Sequence, residues 1–454
     1  MTCLYVRWLV VSFLLFSVLS GEVHAQAVAN LPPELAIPAS DEGLPGAGPI
    51  RRTDWFENVW NERRGAWAGR EKQDQGAVVF LGDSITQGWG DDFGGAFEGA
   101  KVANRGISGD TTRGMLIRLE KDVIALNPSG VVMLMGTNDI DDDATAQQIA
   151  GNVKLIVAAL KKYNSAMPIV LCLVMPSSPE KGRPVEKIRE LNEQYMALAK
   201  GDSQITVLDI WKLFANKEGD AKPEEFPDLL HPNAVGYAKW AAALRPILAT
   251  LGFMETEPDD FKLEEGFESL FDGHDLTGWG YRPTSEEDIA ARKRWHDSDP
   301  NAAAWPIVTE PVSFEGQSVS TDGRYLAKNG RLVVTTPTEG RKIQQLWTER
   351  EFPKDFTLKL EFRATPNADS GIYIRGPQLQ CRDYSLAGPY DKLAKYKPQD
   401  WNEIVVEVKG GVAHCTCNDE VLEAEFKVPP SGPIGLEGDR GQMEYRRIRV
   451  MEAE

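Results

Sequence analysis

"AVVFLGDSITQGWG", residues 77–90, joins a short apolar run to an acid–serine pair and a string of glycines. The run over residues 77–81 is apolar and rich in β-branched side chains, as is typical of a parallel strand buried on both faces. Gly82, Asp83 and Ser84 interrupt this pattern where the strand would end, and ligands of open α/β sheets bind at that edge. Ser84 is therefore a candidate nucleophile. The alternative is a polar turn, because Asp and Ser are also ordinary helix caps.

Length, composition and charge limit the class of protein. A chain of 454 residues is too long for one ordinary domain, so two or three are expected. Its 42% hydrophobic and 26% charged residues are typical of a soluble globular protein. The balance of 50 basic against 68 acidic residues gives a net charge of −18, which argues against a nucleic acid or an anionic membrane as partner. A neutral sugar or ester remains compatible as substrate.

The first residues have the pattern of an export signal. Arg7 precedes an apolar run over residues 8–20, and "VHA" at residues 23–25 supplies small residues where a signal peptidase cleaves. The run is shorter than the about 20 residues of a membrane span. We therefore expect a signal peptide over residues 1–25, cleaved after Ala25, and a secreted or periplasmic bacterial protein without membrane insertion. The alternative is an uncleaved anchor.

The rest of the chain divides into two folded parts. Residues 26–53 are rich in proline and predict an exposed lead-in. In residues 54–252, strand-like and helix-like stretches alternate, which predicts a parallel sheet with right-handed crossovers. An acidic linker over residues 253–265 follows. In residues 266–454, short alternating segments separated by Gly, Pro, Asn and Asp predict an antiparallel β-sandwich.

Two of these parts carry a further prediction. The start of the first domain, residues 54–72, has a helical pattern with Trp55, Trp60 and Trp67 as apolar anchors. In the second, the polar and charged stretch 284–304 interrupts the strand pattern and predicts a helix or an irregular segment.

A single histidine limits how Ser84 could be activated. Ester hydrolysis by serine needs a base, a group that holds the base, and donors for the oxyanion. Between Gln26 and Asp260 the only histidine is His231, and Asp228 precedes it by one turn in "FPDLLHP". These residues form a candidate Ser84–His231–Asp228 set. A chance aspartate and a capping histidine are the alternative.

Two further polar clusters follow strands of the same predicted sheet, "NRGISGDTT" at 104–112 and "GTNDI" at 136–140. Gly109 has no side chain to keep a substrate oxygen from its backbone N–H, and Asn138 offers an amide donor. Each residue alone is typical of a turn. Together with the aspartate and histidine they place donors, nucleophile and base at one sheet edge.

"GDSI", the glycine of "GISGD", the asparagine of "GTND" and "DLLH" occur in this order and resemble the four blocks of the SGNH hydrolases, the GDSL esterase family, over about residues 75–250. The resemblance implies a flavodoxin-like α/β three-layer sandwich with a parallel sheet. It implies Ser84 as nucleophile, its N–H with Gly109 and Asn138 as oxyanion hole, His231 as base and Asp228 as its partner. No G-x-S-x-G elbow occurs in the chain, which disfavours an ordinary α/β-hydrolase.

The C-terminal part is similar to a second family. "FESLFDGHDLTGW", "NADSGIYIRG", "DWNEIVVEVKG" and "GPIGLEGDRGQMEYRRIRV" resemble the 3-keto-disaccharide hydrolase domain family over about residues 266–453. The resemblance implies an all-β concanavalin-like sandwich that binds or processes glycans. Its candidate polar residues are Glu361, Asp369, Arg375, Gln380 and Asp383. A carboxylate pair could act as acid and base on a sugar, and the alternative is a set of solvated charges on the outer face. Relatives often carry Asp-His after "GPIGL" where this chain has "EGDR", so a module that only binds glycans is also open.

The cysteines indicate no cofactor. Cys172 lies in the strand-like run "PIVLCLVMP" and predicts a small core residue. Cys381, Cys415 and Cys417 lie in the second part, where one pair could form a disulfide. We expect no metal at "HCTC" (414–417), because these residues follow the alternation of a strand.

These observations predict an exported serine esterase that removes acyl, most simply acetyl, groups from carbohydrate. Its partners would be an acylated carbohydrate or another small ester at Ser84 and a glycan at the sandwich, which could carry a second glycoside hydrolase or lyase activity. Two alternatives are a secreted lipolytic esterase acting on lysophospholipid, and a glycan-binding protein with an inactive esterase scaffold.

Overall fold

The computed structural model describes residues 32–199, 202, 204–254, 260–299, 302–336, 342–366, 368–383 and 389–453. The predicted signal peptide with its cleavage site after Ala25, the first part of the lead-in and residues 255–259 of the predicted linker lie outside the described residues.

The first domain contains the predicted parallel sheet. Its five strands pair in the order β2-β1-β3-β4-β5, and every pairing is parallel. This order is that of flavodoxin-like folds, so the predicted fold class is confirmed. The strands are β1 (Val78–Gly82), β2 (Val102–Gly106), β3 (Gly130–Leu134), β4 (Ile169–Cys172) and β5 (Ile205–Leu208).

Helices cover both faces of this sheet. Along β1, Val79 and Leu81 pack into one apolar cluster and Val78 and Phe80 into another, because successive side chains of a strand point to opposite faces. The helices are α1 (Asp54–Ala68), α2 (Glu71–Asp74), α3 (Ser84–Gln87), α4 (Thr112–Asp122), α5 (Thr137–Asp141), α6 (Ala146–Tyr163), α7 (Val185–Ala199), α8 (Ile210–Phe214) and α9 (Ala234–Thr250). Short 3-10 turns occupy Pro33–Leu35, Phe93–Gly95, Ile124–Leu126 and Pro179–Lys181.

The described part of the lead-in is mostly exposed, but its end also binds the first domain. Its last part, residues 45–51, packs on the first domain, and we call it the strap. Asn152 of α6 accepts from the N–H of Ala47 at 2.9 Å and donates to its carbonyl at 2.8 Å. Arg113 donates to the carbonyl of Gly48 at 2.9 Å, and Ile50 is buried. Composition does not predict these contacts, because the polar side chains that satisfy the strap's backbone lie far along the chain.

The second domain is the predicted antiparallel sandwich. Strands of one sheet pair in the order β17-β16-β15-β12-β19-β10-β9, with β6 beside β19, and the other sheet has the order β14-β13-β18-β11-β7-β8. The strands are β6 (Glu268–Ser269), β7 (Trp279–Tyr281), β8 (Val312–Ser313), β9 (Tyr325–Lys328), β10 (Arg331–Val334), β11 (Gln344–Thr348), β12 (Phe356–Ala364), β13 (Asp369–Ile374), β14 (Gln378–Arg382), β15 (Asn402–Lys409), β16 (Val412–Cys417), β17 (Glu420–Lys427), β18 (Ile434–Gly438) and β19 (Met443–Glu452). A short 3-10 turn at Pro389–Lys392 follows β14.

The core of the sandwich lies between the two sheets. In β12, alternate residues are buried, and Leu358, Leu360 and Phe362 face the core. Cys381, Cys415 and Cys417 also join this core as free thiols. Helix α10 (Glu286–Ser298) occupies the polar stretch 284–304.

The two domains touch through the end of α9. Gln442 of the sandwich donates from Nε2 to Thr250 Oγ1 at 3.2 Å, and Lys328 donates to the Thr250 carbonyl. In the described ranges, no helix combines the length and apolarity that crossing a bilayer requires.

Candidate active site

The turn between β1 and α3 presents Ser84 at the carboxyl edge of the sheet. Asp83 caps α3 through a hydrogen bond from the N–H of Ile85 to Oδ1 at 2.9 Å, and Ser84 is the first helical residue. A backbone N–H at this position has no acceptor within its helix, so that of Ser84 is available to a ligand. Complete burial raises the pKa of Asp83 to about 6 against the opposing hydrogen bond from Ile85.

The structure brings the single histidine of this domain to the serine. His231 Nε2 lies 2.8 Å from Ser84 Oγ, and His231 Nδ1 lies 2.7 Å from Asp228 Oδ2. The two ring nitrogens therefore contact different partners, and an Nδ1–H donated to Asp228 leaves Nε2 as the acceptor of the serine proton. This chain of contacts spans residues 147 positions apart in the sequence.

The turn at residues 228–231 fixes Asp228 beside the ring. Its Oδ1 accepts from the N–H of His231 at 2.7 Å and of Leu230 at 3.1 Å, while Leu229 takes a left-handed φ of 62°. Burial acts to raise the pKa of Asp228, but the hydrogen bonds from His231 and Leu230 outweigh it and lower the pKa to about 2. Asp228 is therefore ionised at neutral pH and can stabilise an imidazolium.

Gly109 follows β2 at the same edge of the sheet as Ser84, and its backbone conformation favours glycine. Its φ is 83°, and a Cβ there would lie 2.8 Å from Cζ3 of Trp55. The indole of Trp55 thus covers Gly109 on one side, yet 56% of Trp55 remains exposed. Trp60 and Trp67 are buried as predicted, whereas Trp55 is not an apolar anchor but an exposed ring next to a candidate oxyanion donor.

Asn138 is held in a single amide orientation. Its Nδ2 donates to the carbonyl of Asp110 at 2.9 Å, and its Oδ1 accepts from Arg183 Nη2 at 3.2 Å and from Arg51 Nη1 at 3.4 Å. Because two guanidinium groups hold the oxygen, the amide nitrogen is the atom left for a substrate oxygen. Asp139, next in sequence, accepts from the N–H of Thr112 at 2.9 Å and ties this loop to α4.

Sequence reasoning did not identify Arg51 or Arg183. Arg51 belongs to the strap and pairs with Asp141 at 3.1 Å and Asp142 at 2.8 Å. Arg183 donates from Nε to the carbonyl of Thr137 at 2.9 Å. Their positions depend on how distant segments pack. The one sequence feature that indicated nearby cations is the negative charge of the loop at 139–143.

This arrangement has the parts that acyl transfer to serine requires. A hydroxyl lies within hydrogen-bond distance of an imidazole nitrogen, a carboxylate holds the other nitrogen, and an oriented amide is fixed at the same edge. Such a site can deprotonate a serine as it attacks a carbonyl and can stabilise the resulting oxyanion.

A second polar cluster lies on the outer face of the six-stranded sheet. Glu437 of β18 accepts from Tyr373 Oη at 2.9 Å and from the amide of Gln378, and Gln345 donates to Tyr373 Oη at 2.7 Å. Gln345 also lines a cavity of about 190 Å³ under α10, together with Arg292 and other residues. The sequence identifies Glu437 only as part of "EGDR", a departure from the family pattern, and not as a candidate site residue.

Glu437 is the titratable group of this cluster. It is 7% exposed, and burial, followed by the negative charges of Asp439 and Asp369, raises its pKa to about 7. The donors Tyr373 and Gln378 act in the opposite direction and do not offset the burial. A carboxyl with this pKa can take or give a proton at neutral pH.

The structure separates the predicted residues of the sandwich. Asp369 and Gln380 share the outer face of the six-stranded sheet with Glu437, and Asp369 pairs with Arg440 at 3.2 Å and with Arg382 at 3.0 Å. Asp383 follows β14 and accepts from Gln399 at 2.9 Å.

Glu361 and Arg375 do not belong with them. Glu361 lies on the other sheet and pairs with Arg446 and Arg447, each at 2.7 Å. Arg375 is buried and donates to backbone carbonyls, including that of Pro429 at 3.0 Å. The five candidates therefore do not come together in one site, because alternation shows which residues share a face of a strand and not which sheet the strand joins.

Comparison with known proteins assigns each domain. Residues 80–239 match the model of the GDSL-like Lipase/Acylhydrolase family, and residues 266–451 match that of the 3-keto-alpha-glucoside-1,2-lyase-like domain. Among curated proteins, the chain is 29% identical over 199 residues to platelet-activating factor acetylhydrolase IB subunit alpha1 of Rattus norvegicus. The matched region covers 42% of this chain and 83% of the relative. The alpha2 subunit of the same organism is 26% identical over 233 residues, covering 50% and 93%.

Among solved structures, a GDSL-like lipase from Bacteroides thetaiotaomicron has 25% sequence identity and a TM-score of 0.37, covering 41% of this chain and 96% of that one. The two matched families are those whose sequence blocks the chain resembles. The chain therefore joins a domain of the GDSL-like lipase/acylhydrolase family, a family of ester hydrolases, to a 3-keto-alpha-glucoside-1,2-lyase-like domain.

Proposed function

We propose that the first domain removes acyl groups, most simply acetyl, from carbohydrate through Ser84. The observation that carries this proposal is the continuous contact from Ser84 Oγ to His231 at 2.8 Å and from His231 to Asp228 at 2.7 Å. The names of the similar mammalian subunits specify an acetylhydrolase, which supports acetyl as the group removed.

In this mechanism His231 Nε2 takes the proton of Ser84 as the hydroxyl attacks the ester carbonyl. The N–H groups of Ser84 and Gly109 and the amide of Asn138 stabilise the oxyanion. His231 then gives the proton to the leaving sugar hydroxyl, and an acyl-serine remains. A water molecule, deprotonated by His231, releases the acid and restores Ser84.

The shape of the site supports a bulky substrate. The side chains of His231 and Asp228 are 41% and 45% exposed, so the reacting groups lie near the surface. A large polymer can bring a short acyl group to such a site without entering a tunnel. The exposed indole of Trp55 beside Gly109 offers an apolar face against which a sugar ring can stack.

The substrate class is tested by comparing initial rates on acetylated xylan, an acetylated monosaccharide and lysophospholipid. We expect the acetylated sugars to be preferred. Trp55→Ala should raise KM for acetylated xylan and leave turnover of p-nitrophenyl acetate nearly unchanged, while Leu155→Ala, which also removes an exposed apolar side chain, should change neither.

Preference for lysophospholipid would replace the carbohydrate proposal with the lipolytic one. Sugar binding without release of acid from any of the three substrates would leave a glycan-binding protein with an inactive esterase scaffold.

We further propose a lyase activity for the sandwich, with Glu437 as the base. The observation that favours it is a carboxyl with a pKa of about 7 among polar side chains on one sheet face. On a 3-keto-glucoside, Glu437 would take the proton from C2, which the neighbouring ketone makes acidic. A C1–C2 double bond forms, the C1–O bond breaks, and the leaving oxygen takes up a proton.

The lyase proposal is tested by following release of the leaving alcohol from a 3-keto-glucoside. Glu437→Gln should lower the rate by roughly 10²–10⁴-fold, the usual contribution of a general base. Glu407→Gln changes an exposed carboxylate on the other sheet and serves as the matched control. Equal rates for wild type and Glu437→Gln would exclude Glu437 as the base.

We also propose that the protein is exported. The apolar run over residues 8–20 and the small residues before position 26 support this proposal. N-terminal sequencing of the mature protein should begin at Gln26, and a first residue of Met1 would contradict cleavage.

A further inference from the structure

A cleft between the two domains is lined by four arginines. It encloses about 620 Å³, within the range of small-ligand sites. Arg245 of α9 contributes from the first domain, and Arg331, Arg363 and Arg446 contribute from the eight-stranded sheet. The acids of the lining, Glu98 and Asp400, are exposed.

This cleft is separate from the candidate active site. Its first-domain wall comes from the loop at 95–98, which precedes β2, and from Arg245 and Ala249 near the end of α9. These segments lie at the amino edge of the parallel sheet, whereas Ser84 follows the carboxyl end of β1. The cleft also lies on the opposite sheet of the sandwich from Glu437.

Arg331 and Arg363, which line the cleft from the sandwich, share one buried acidic partner. Glu444 is 1% exposed and accepts both from Arg331 Nη1 at 3.0 Å and from Arg363 Nη2 at 2.7 Å. One carboxylate therefore serves two guanidinium groups and leaves one positive charge uncompensated. Arg331 is 3% exposed, and in the described part of the chain its Nε and Nη2 have no hydrogen-bond acceptor.

Two of the four guanidinium groups are held in place by an aromatic ring. The Cζ atoms of Arg446 and Arg363 lie 4.0 Å and 4.7 Å from the ring centre of Trp401. Arg446 is also tied to Glu361 at 2.7 Å. Stacking on an indole fixes the plane of a guanidinium, so its remaining N–H groups are oriented before a ligand arrives.

Clustering of like charges is unfavourable without an anion. Burial and the positive charges of Arg363 and Arg446 act to lower the pKa of Arg331, against the opposing effect of Glu444. An oxyanion in the cleft would relieve this repulsion, and a carboxylate matches the paired N–H groups of a guanidinium in a bidentate contact.

We propose that the interdomain cleft binds the carboxylate of an acidic sugar, such as a uronic acid residue of a glycan. The arginines are the evidence for the anionic group of this ligand. Its identification as a sugar rests on the proposed function of the two domains. Binding at the amino edge would anchor an acidic glycan on both domains at once, away from the proposed reaction centres.

Calorimetric titration of the full mature chain tests this inference with three probes: trigalacturonate, neutral xylotriose and inorganic phosphate. We expect trigalacturonate to bind and xylotriose not to bind. Arg446→Gln and Arg245→Gln should each weaken trigalacturonate binding about tenfold or more, and added salt should weaken it further. Arg294→Gln, which removes an exposed arginine of α10, is the matched control and should bind like the wild type.

Thermal unfolding of each variant verifies that it is folded. Equal affinity for trigalacturonate and xylotriose, or equal affinity in all variants, would overturn the proposal. Binding of phosphate without binding of trigalacturonate would overturn the carboxylate assignment. Because no ester is hydrolysed in this experiment, a failure of the carbohydrate esterase proposal would appear only in the rate assays.

Discussion

At the scale of single residues, Asn138 shows how a short polar side chain is given one orientation. Its oxygen is occupied by Arg51 and Arg183, and its nitrogen donates to the Asp110 carbonyl. One amide hydrogen of Asn138 therefore remains for a substrate. Its direction is set by the neighbouring protein groups before the substrate binds. An oriented donor of this kind stabilises developing charge without reorganising during the reaction.

Asn138→Ala should lower kcat for p-nitrophenyl acetate by roughly 10²–10³-fold, the usual effect of losing one oxyanion donor. KM should change little, because the donor acts mainly on the charge that develops in the transition state. Steady-state kinetics measure both values. If KM rose and kcat stayed at the wild-type value, Asn138 would bind the ground state and not the oxyanion.

The residues that sequence alone could identify are those with fixed spacing or a unique type. Ser84, Gly109 and Asn138 each follow a strand, and His231 is the single histidine available to the first domain. The helical pattern predicts Trp55 as an apolar anchor, because a tryptophan in such a pattern is commonly buried. Its exposure depends on where Gly109 packs, which no local pattern encodes.

At the scale of elements, the strap links the lead-in to Asn138, the candidate oxyanion donor. The strap's backbone is held by Asn152 and Arg113, and its last residue, Arg51, reaches Asn138 Oδ1. A segment with an irregular, proline-rich sequence thus positions a side chain of the site. Composition indicated an exposed linker here, since it cannot reveal that side chains of α4 and α6 bind the segment's carbonyl groups.

Arg51→Gln should lower kcat about tenfold, equivalent to about 1.4 kcal/mol of transition-state stabilisation, because one of the two donors that orient Asn138 is lost. KM should be unchanged. Arg52→Gln is the matched control, because Arg52 donates to the carbonyls of Pro38 and Ile50 and pairs with Asp41 but does not contact Asn138. Wild-type kcat in Arg51→Gln would show that Arg183 orients the amide without help.

Most helices and strands could be predicted from the sequence, whereas the arrangement of strands in the two sheets of the sandwich could not. The alternation of β12 correctly places Leu360 and Phe362 in the core and Glu361 outside. However, Glu361 and Glu437 lie on different sheets, which only the pairing of distant strands decides. The high pKa of Glu437 also depends on burial among Tyr373, Gln378 and their neighbours.

At the scale of the whole molecule, buried carboxyl groups couple stability to pH. Burial raises the pKa of Asp139 and Glu437 to about 7 each and of Asp83 and Asp110 to about 6 each. For such a group the folded chain binds more protons than the unfolded chain between the ordinary and the raised pKa. Its contribution to stability is complete below the ordinary pKa and is lost as pH rises through the raised one.

We therefore expect the melting temperature of the full chain to fall between about pH 5 and pH 8. Glu437→Gln should remove the part of this decline due to Glu437, on the order of 2 kcal/mol in the free energy of unfolding of the sandwich. Differential scanning calorimetry at several pH values measures both curves. Parallel curves for wild type and Glu437→Gln would show that Glu437 does not titrate in this range.

The overall arrangement distributes three polar sites over two domains. The serine site lies at the carboxyl edge of the parallel sheet, the Glu437 cluster on one outer face of the sandwich, and the arginine cleft between the domains. A substitution in one site therefore changes no residue of the other two. This separation makes the proposed activities of the two domains measurable in one intact protein.

Hydrolysis of p-nitrophenyl acetate by Ser84→Ala is the most direct measurement on the proposed reaction. With its nucleophile removed, the variant should retain less than about one part in 10³ of the wild-type kcat, in line with the loss of a catalytic-triad residue. Ser165→Ala, which changes an exposed serine elsewhere on the same domain, should keep the wild-type rate. Turnover by a folded Ser84→Ala protein at the rate of Ser165→Ala would contradict the assignment of Ser84 as the nucleophile.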